Sequence, residues 1–238
     1  MHEAHRRQLL LCADIVGYSK GVPARQAADQ AVFREVLTQA AEAAQLNHTA
    51  WEVQPSGDGV LAVLPTAPSV DEEPRLVDDF IRHLNLLLRL SNAGRNAADR
   101  MRLRVAIHFG TLSDGANGYV GKSPVVVGRL VDAAPVRAAI VAAPGALLAL
   151  IVSDDVYQHV VATDHTTWKP QEFREVDVTV KTYRGTAWLL VPGTDVHALD
   201  LREPAPDDDR TATRQSTTTV INGSVRMGDH GVIGIANR

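Results

Sequence analysis

The run Gln8-Leu9-Leu10-Leu11-Cys12-Ala13-Asp14-Ile15 constrains the fold more than any other stretch of the chain. It is short, almost continuously apolar and broken soon after by Gly17 and Ser19. A strand with one wet face alternates apolar and polar side chains, whereas a short run without alternation suits a strand buried on both faces. This segment is therefore expected near the middle of a sheet. The 238 residues, 45% of them hydrophobic, suffice to build one full α/β core, with room for an appendage.

Downstream, the pattern alternates between helix and strand. Pro23 to Ala44 is read as a helix, with Phe33, Leu37, Ala41 and Ala44 at three- and four-residue spacing and Pro23 at its start. Trp51 to Gln54 and Val60 to Leu64 are read as a hairpin closed by Pro55-Ser56-Gly57-Asp58-Gly59. A polar link from Thr66 leads into one long helix to about Arg95, striped by Leu76, Phe80, Leu84, Leu87 and Leu88. Arg102 to Leu112 is the next strand, Ser113 to Gly118 a loop, Val125 to Ala143 a helix and Ala146 to Val152 a strand. A short helix starts at Ser153-Asp154-Asp155, and Phe173 to Val180 with Thr186 to Val191 form a closing hairpin. The order β-α-β-β-α-β is a ferredoxin-like split βαβ, so the expected class is α+β with a mostly antiparallel sheet. The expected division is a main domain over 1–193, a polar linker over 194–216 and a β-prone tail over 217–238.

Composition excludes some functions. A net charge of -4 argues against a protein that coats nucleic acid, which would need a basic surplus to displace counterions from phosphates. A few local Arg and Lys can still hold a small anion. Cys12 is the single cysteine, so no intrachain disulfide forms, and it reads as a small core residue. No stretch approaches the roughly 20 apolar residues of a membrane span, and Met1 to Gln8 lacks a signal-type apolar segment, so a cytoplasmic protein is expected.

Two carboxylates stand where turns would present them: Asp14 at the end of the first strand and Asp58 in the hairpin turn. In a split βαβ sheet that strand and hairpin are neighbours, so the two side chains can converge. Hard cations such as Mg²⁺ or Mn²⁺ take one or two carboxylates plus substrate phosphates.

The segments around these residues resemble a known family. Ala13-Asp14-Ile15-Val16-Gly17-Tyr18-Ser19 is similar to the metal-binding strand end and phosphate loop of class III nucleotidyl cyclases, and Gln54-Pro55-Ser56-Gly57-Asp58-Gly59 to their second metal-binding hairpin, 44 positions on. Arg104 to Gly110 resembles the strand after the second helix, and Tyr119-Val120-Gly121 through Gly128-Arg129-Leu130 the segment with the transition-state arginine. Four motifs in order span roughly residues 7 to 192.

The resemblance implies that Asp14, Asp58 and the Ile15 carbonyl hold two divalent ions, Mn²⁺ or Mg²⁺. The amides of Val16, Gly17, Tyr18 and Ser19 would cradle a nucleoside triphosphate, Arg104 would bind its terminal phosphates, Lys181 would add a phosphate contact and Arg129 would neutralise charge on the α-phosphate. It also implies a homodimer whose sites are shared between chains.

Departures from the family pattern bear on the base. Gln54 stands where adenylate cyclases of the family carry a base-reading Lys, Gly118 where they carry an Asp, and Val125 where they carry an Asn that orients the ribose. This pattern resembles the pyrimidine cyclases of the bacterial Pycsar antiphage systems, which make cyclic UMP or cyclic CMP for a separate effector. The amide of Gln54 can donate and accept, which suits a pyrimidine edge. UTP is taken as the substrate because it is the commoner choice among those relatives. Two alternatives stay open: an adenylate or guanylate cyclase with atypical base recognition, and a degenerate module that binds nucleotide without turnover. A diguanylate cyclase is disfavoured because the chain lacks a Gly-Gly-acidic-acidic-Phe hairpin.

Overall fold

A computed structural model describes residues 7–65, 72–115, 118–120 and 122–202. The elements are β1 (Arg7–Ile15), α1 (Pro23–Ala43), β2 (Glu52–Ser56), β3 (Gly59–Val63), α2 (Glu72–Val77), α3 (Asp79–Ser91) and β4 (Leu103–Thr111). There follow β5 (Ser113–Gly115), β6 (Gly118–Val120), α4 (Lys122–Val131), α5 (Ala134–Ala142), β7 (Leu148–Ser153), α6 (Asp154–Val156), β8 (Arg174–Val180) and β9 (Tyr183–Leu190). Seven strands form one sheet in the order β2-β3-β1-β4-β7-β9-β8, and every neighbouring pair is antiparallel except β4–β7. The first four strands with α1 and the α2–α3 pair make the split βαβ unit, so the fold is α+β as the sequence predicts.

The apolar run of β1 is explained by its position. Leu9, Leu11 and Ala13 face one side and pack with Phe33, Val36 and Ala40 of α1 and Phe80, Leu84 and Leu88 of α3. Leu10 faces the other side, in a cluster with Ala106, Ile151 and Leu189, covered by Val127 and Leu130 of α4 and Val136 and Ile140 of α5. Leu10 and Leu11 are 0% and 1% exposed, so each contributes on the order of 1.5–3 kcal/mol of burial. The fully buried β7 follows the same logic.

Three predicted elements differ from what forms. The long helix before β4 is broken at Asp78, whose buried carboxylate binds Arg82 Nε (2.5 Å), the Thr167 hydroxyl (3.0 Å) and the Thr167 amide. The helix expected over 125–143 is two, α4 and α5, because Pro135 lacks an N–H and its ring would clash with the carbonyl four residues back. The loop after β4 pairs Ser113–Gly115 with Gly118–Val120 as a small hairpin.

Packed chain also continues past Gly193, into the stretch expected to be linker. Val196 is 1% exposed, Leu199 and Leu201 rest on the α4–α5 side of the core, and Arg174 Nη1 donates to the carbonyls of Val196 (3.2 Å) and Leu199 (2.8 Å). The β-prone tail, 217–238, lies outside the described residues.

Candidate functional site

Strand register builds the site. Asp14 pairs with Gly59 of β3 on one side and with Arg104 of β4 on the other, and the Ile15 amide donates to the Asp58 carbonyl at 2.9 Å. Directly paired residues point to the same side of a sheet, so Asp14 and Arg104 share the face that carries Leu10 and Cys12. Two left-handed glycines shape the turns: Gly17 (φ 72°) opens the single helical turn Tyr18–Lys20, and Gly57 (φ 60°) precedes Asp58. A side chain at either position would be strained.

Arg104 grips Asp14 through two parallel bonds, Nε to Oδ1 at 2.9 Å and Nη2 to Oδ2 at 2.7 Å, and its Nη1 reaches Asp132 Oδ1 at 3.2 Å. The pair is mostly buried, with the side chains 16% and 15% exposed. Arg104 thus sits on an interior strand and pairs with Asp14. Burial pushes the Asp14 carboxyl up to about 6, against the pull of Arg104, and the charges of Asp58 and Asp132 add to the rise. Burial likewise pushes the Cys12 thiol up to about 12, with Asp14 next door adding to it.

Other expected residues are distributed differently. The Val16 amide donates to the Arg102 carbonyl at 2.9 Å, so it is not a spare donor in this structure. Gln54 lies in the cross-strand row Gln54–Leu61–Cys12–Ala106, on the Asp14 face and near the sheet edge. Arg129 lies in the last turn of α4, on the side marked by exposed Val125 and just before Asp132 of the α4–α5 connection, and makes no hydrogen bond or ion pair among the described residues. Lys181 (φ 54°) sits in the β8–β9 turn and Gly118 in β6. Both follow the opposite end of the sheet from Asp14, because β1 runs antiparallel to β4 and β4 parallel to β7. One chain therefore gathers Asp14, Ile15, Asp58 and Arg104, leaves Lys181 and Gly118 toward the other end, and pairs Arg129 with none of the four.

Two contributors went unseen in the sequence. Asp132 adds a carboxylate beside Arg104. Gln30 of α1 donates from Nε2 to both the Tyr18 hydroxyl and the Gly57 carbonyl, each at 2.8 Å, tying the Gly17 loop to the Asp58 turn. Neither lies in a motif, and their roles depend on contacts 27 or more residues apart for Asp132 and Gly57.

The donor set at this end of the sheet is oxygen: the carboxylates of Asp14 and Asp58, that of Asp132 held on Arg104, and backbone carbonyls. Among the described residues there is no cluster of three ligating His, Cys, Asp or Glu side chains. Such a set suits a hard divalent cation completed by substrate oxygens better than a closed structural metal site. No described helix is long and apolar enough to cross a membrane.

No protein-family profile matches the chain, and no curated protein matches it significantly. Solved structures do. The adenylate/guanylate cyclase/hydrolase from Silicibacter pomeroyi superposes with a TM-score of 0.58 at 21% identity, covering 81% of this chain and 100% of that one. The guanylyl cyclase Cya2 gives 0.54 at 15% identity, covering 85% and 100%. The adenylyl cyclase CyaB from P. aeruginosa gives 0.52 at 16% identity, covering 81% and 98%. At such identities the likeness is one of fold, and the seven-stranded α+β domain described above is the fold these cyclase domains share with this chain.

Proposed function

We propose that the protein is a metal-dependent nucleotidyl cyclase that converts a nucleoside triphosphate into a 3′,5′-cyclic nucleotide and pyrophosphate. The observation that carries this reading is the convergence of Asp14 and the Asp58 turn at one end of the sheet, with Arg104 alongside, on a fold shared with solved cyclase domains.

Asp14, Asp58 and the Ile15 carbonyl are the groups that would hold two Mg²⁺ or Mn²⁺ ions. Such ions lower the pKa of the ribose 3′-hydroxyl and neutralise the phosphates. The chain's own residues do the rest. Three carboxylates crowd this corner, and Arg104 balances the charge of Asp14 until a cation does so. Its guanidinium is then available to the terminal phosphates, for which its planar fork is suited. The Gly17-Tyr18-Ser19 loop faces the triphosphate, and Gln30 sets the spacing between that loop and the Asp58 turn.

Arg129 neutralises the α-phosphate, and Lys181 adds a contact, from a second copy of the chain. A head-to-tail C2 pair would carry the far end of one sheet, with Lys181, to the Asp14 end of the other. The half-buried Cys12, Val16 and Leu61 and exposed Val125 on that face provide apolar surface for such a partner.

For the base, Gln54 and Gly118 favour a pyrimidine, with UTP as substrate and cyclic UMP as the messenger for a separate effector in antiphage signalling of the Pycsar type. Exposed Val125, in place of a ribose-orienting side chain, favours one second reading, a module that binds nucleotide without turnover. The deciding experiment incubates purified protein with ATP, GTP, CTP or UTP plus Mn²⁺ and identifies the products by mass. Cyclic UMP is expected; a cyclic purine product overturns the base assignment, and binding without any product establishes the second reading.

A further inference from the structure

On the sheet face opposite Asp14, a cavity of about 360 Å³ opens between α1 and the β2–β3 hairpin. That volume falls in the range of small-molecule sites. Its floor is apolar, built from buried Leu11, Phe33 and Val60, and its wall carries half-buried Trp51 and exposed Val53, the latter 52% exposed. An aromatic and a branched side chain left open beside a concave floor leave room for an apolar body.

The charge of the lining is one-sided. In a chain of net charge -4, no Asp or Glu among the described residues lines this cavity. Two basic side chains do. His48 already faces Glu42 at 3.8 Å, whereas Arg34 makes no ion pair among the described residues. An unpaired guanidinium at the mouth of an apolar cavity complements an anionic group on an apolar body. A polypeptide strand is a poorer fit, because Pro55 removes a donor from the β2 edge along which it would pair.

The cavity also touches the candidate catalytic end. Gln30 and Gly57 line it, and the Gln30 amide holds both the Gly57 carbonyl and the Tyr18 hydroxyl at 2.8 Å. We infer that this cavity binds a small organic anion with an apolar body, paired with Arg34, and that its occupancy reaches the Asp58 turn through Gln30. The binding site stands on geometry alone; the second half rests on the cyclase reading.

The test uses 8-anilinonaphthalene-1-sulfonate, an anion on an aromatic body, and N-phenyl-1-naphthylamine, the same body without charge, each titrated into the full chain by fluorescence. Saturable one-to-one binding of the sulfonate is expected. Arg34→Glu should weaken it about 10-fold while changing the neutral probe less than about 2-fold, the size expected for one charge-assisted pair. Val53→Glu, at an exposed position that does not threaten folding, should weaken both probes. Sulfonate binding unchanged by both variants, or rising without saturation, overturns the site. With UTP and Mn²⁺ present, saturating sulfonate should alter turnover at least about 3-fold, with Arg34→Glu needing about 10-fold more probe. Turnover that ignores Arg34-dependent binding overturns the link through Gln30. Arg34-dependent binding in a chain that cyclises no nucleotide supports the site and sinks the cyclase reading instead.

Discussion

At Asp14, burial and the Arg104 guanidinium act in opposite directions, and burial prevails: the carboxyl moves from 3.8 to about 6, with Asp58 and Asp132 adding to the rise. That displacement corresponds to about 3 kcal/mol favouring the protonated carboxyl in the folded chain. Its contribution to stability is therefore full below 3.8 and lost as pH rises through about 6. His108 works the other way. Burial lowers its pKa from 6.5 to about 4, so its contribution is full above 6.5 and lost as pH falls through about 4. The two nearly cancel in the metal-free protein, and Asp14→Asn separates them. Urea unfolding from pH 4 to 7 without metal should show the wild type losing about 2–3 kcal/mol relative to Asp14→Asn, with the change spread evenly between about pH 4 and pH 6 and levelling off above it. A pH-independent difference would remove burial as the dominant influence on Asp14. The placement of Asp14 at the strand end and Asp58 in the adjoining turn predicts that Asp14→Ala or Asp58→Ala lowers cyclisation by about 100-fold or more, at least the cost of losing a residue that merely supports a metal ligand. Far-UV circular dichroism should be unchanged, and normal turnover in either variant contradicts the metal assignment.

At the scale of elements, two helix breaks decide what the site rests on. Asp78 ends α2 and begins α3, and its carboxylate anchors Arg82 and the Thr167 segment while Arg82 lies 3.7 Å over the Trp168 ring. Removing a buried carboxylate that serves three donors leaves them unpaired, so Asp78→Ala should cost about 2–4 kcal/mol. For a chain of this size that lowers Tm by about 5–15 °C, readable by calorimetry, and a shift under about 2 °C would mean that the network is dispensable. The second break, at Pro135, starts α5 anew. It leaves Asp132 in the connection between the helices, where it reaches Arg104 at 3.2 Å. An unbroken helix over 125–143 would keep Asp132 inside its own spiral.

For the whole molecule, the distances along the sheet matter most. Asp14 and Asp58 lie at one end while Lys181 and Gly118 follow the other, so one chain supplies an incomplete set. If two copies share each site, inactive Asp58→Ala and inactive Arg129→Ala chains should recover activity on mixing. Random exchange makes half the dimers mixed, each with one intact site of two, giving up to about a quarter of wild-type turnover. No recovery after verified exchange excludes a shared site. The C-terminal boundary is a matter of packing too. A chain ended at Arg202 should keep its turnover, whereas one ended at Gly193 loses buried Val196 and the carbonyls that accept from Arg174, and should melt several degrees lower. Equal stability of the two truncations would show that residues 194–202 contribute nothing to the core.

The sequence alone determined the strands of the seven-stranded sheet, though not the small β5–β6 pair. A run such as Leu9 to Ala13 declares burial on both faces, and Pro-Ser-Gly-Asp-Gly declares a hairpin turn, because burial pattern and turn chemistry are local properties of neighbouring residues. The same patterning carried the split βαβ order, and with it the adjacency of β1 to the Asp58 hairpin. Tertiary structure decided what each charged group meets. That Arg104 would close on Asp14 across 90 positions, that Asp132 would join it, and that Gln30 would bridge Tyr18 and Gly57 are consequences of register and helix placement. No spacing along the chain encodes them, since a side-chain partner is chosen by distance in three dimensions after the backbone has been fixed by burial. The cavity behind the hairpin has the same origin. Phe33, Trp51 and Val53 read one by one as ordinary apolar residues, and only the angle at which α1 crosses the β2–β3 hairpin leaves space between them.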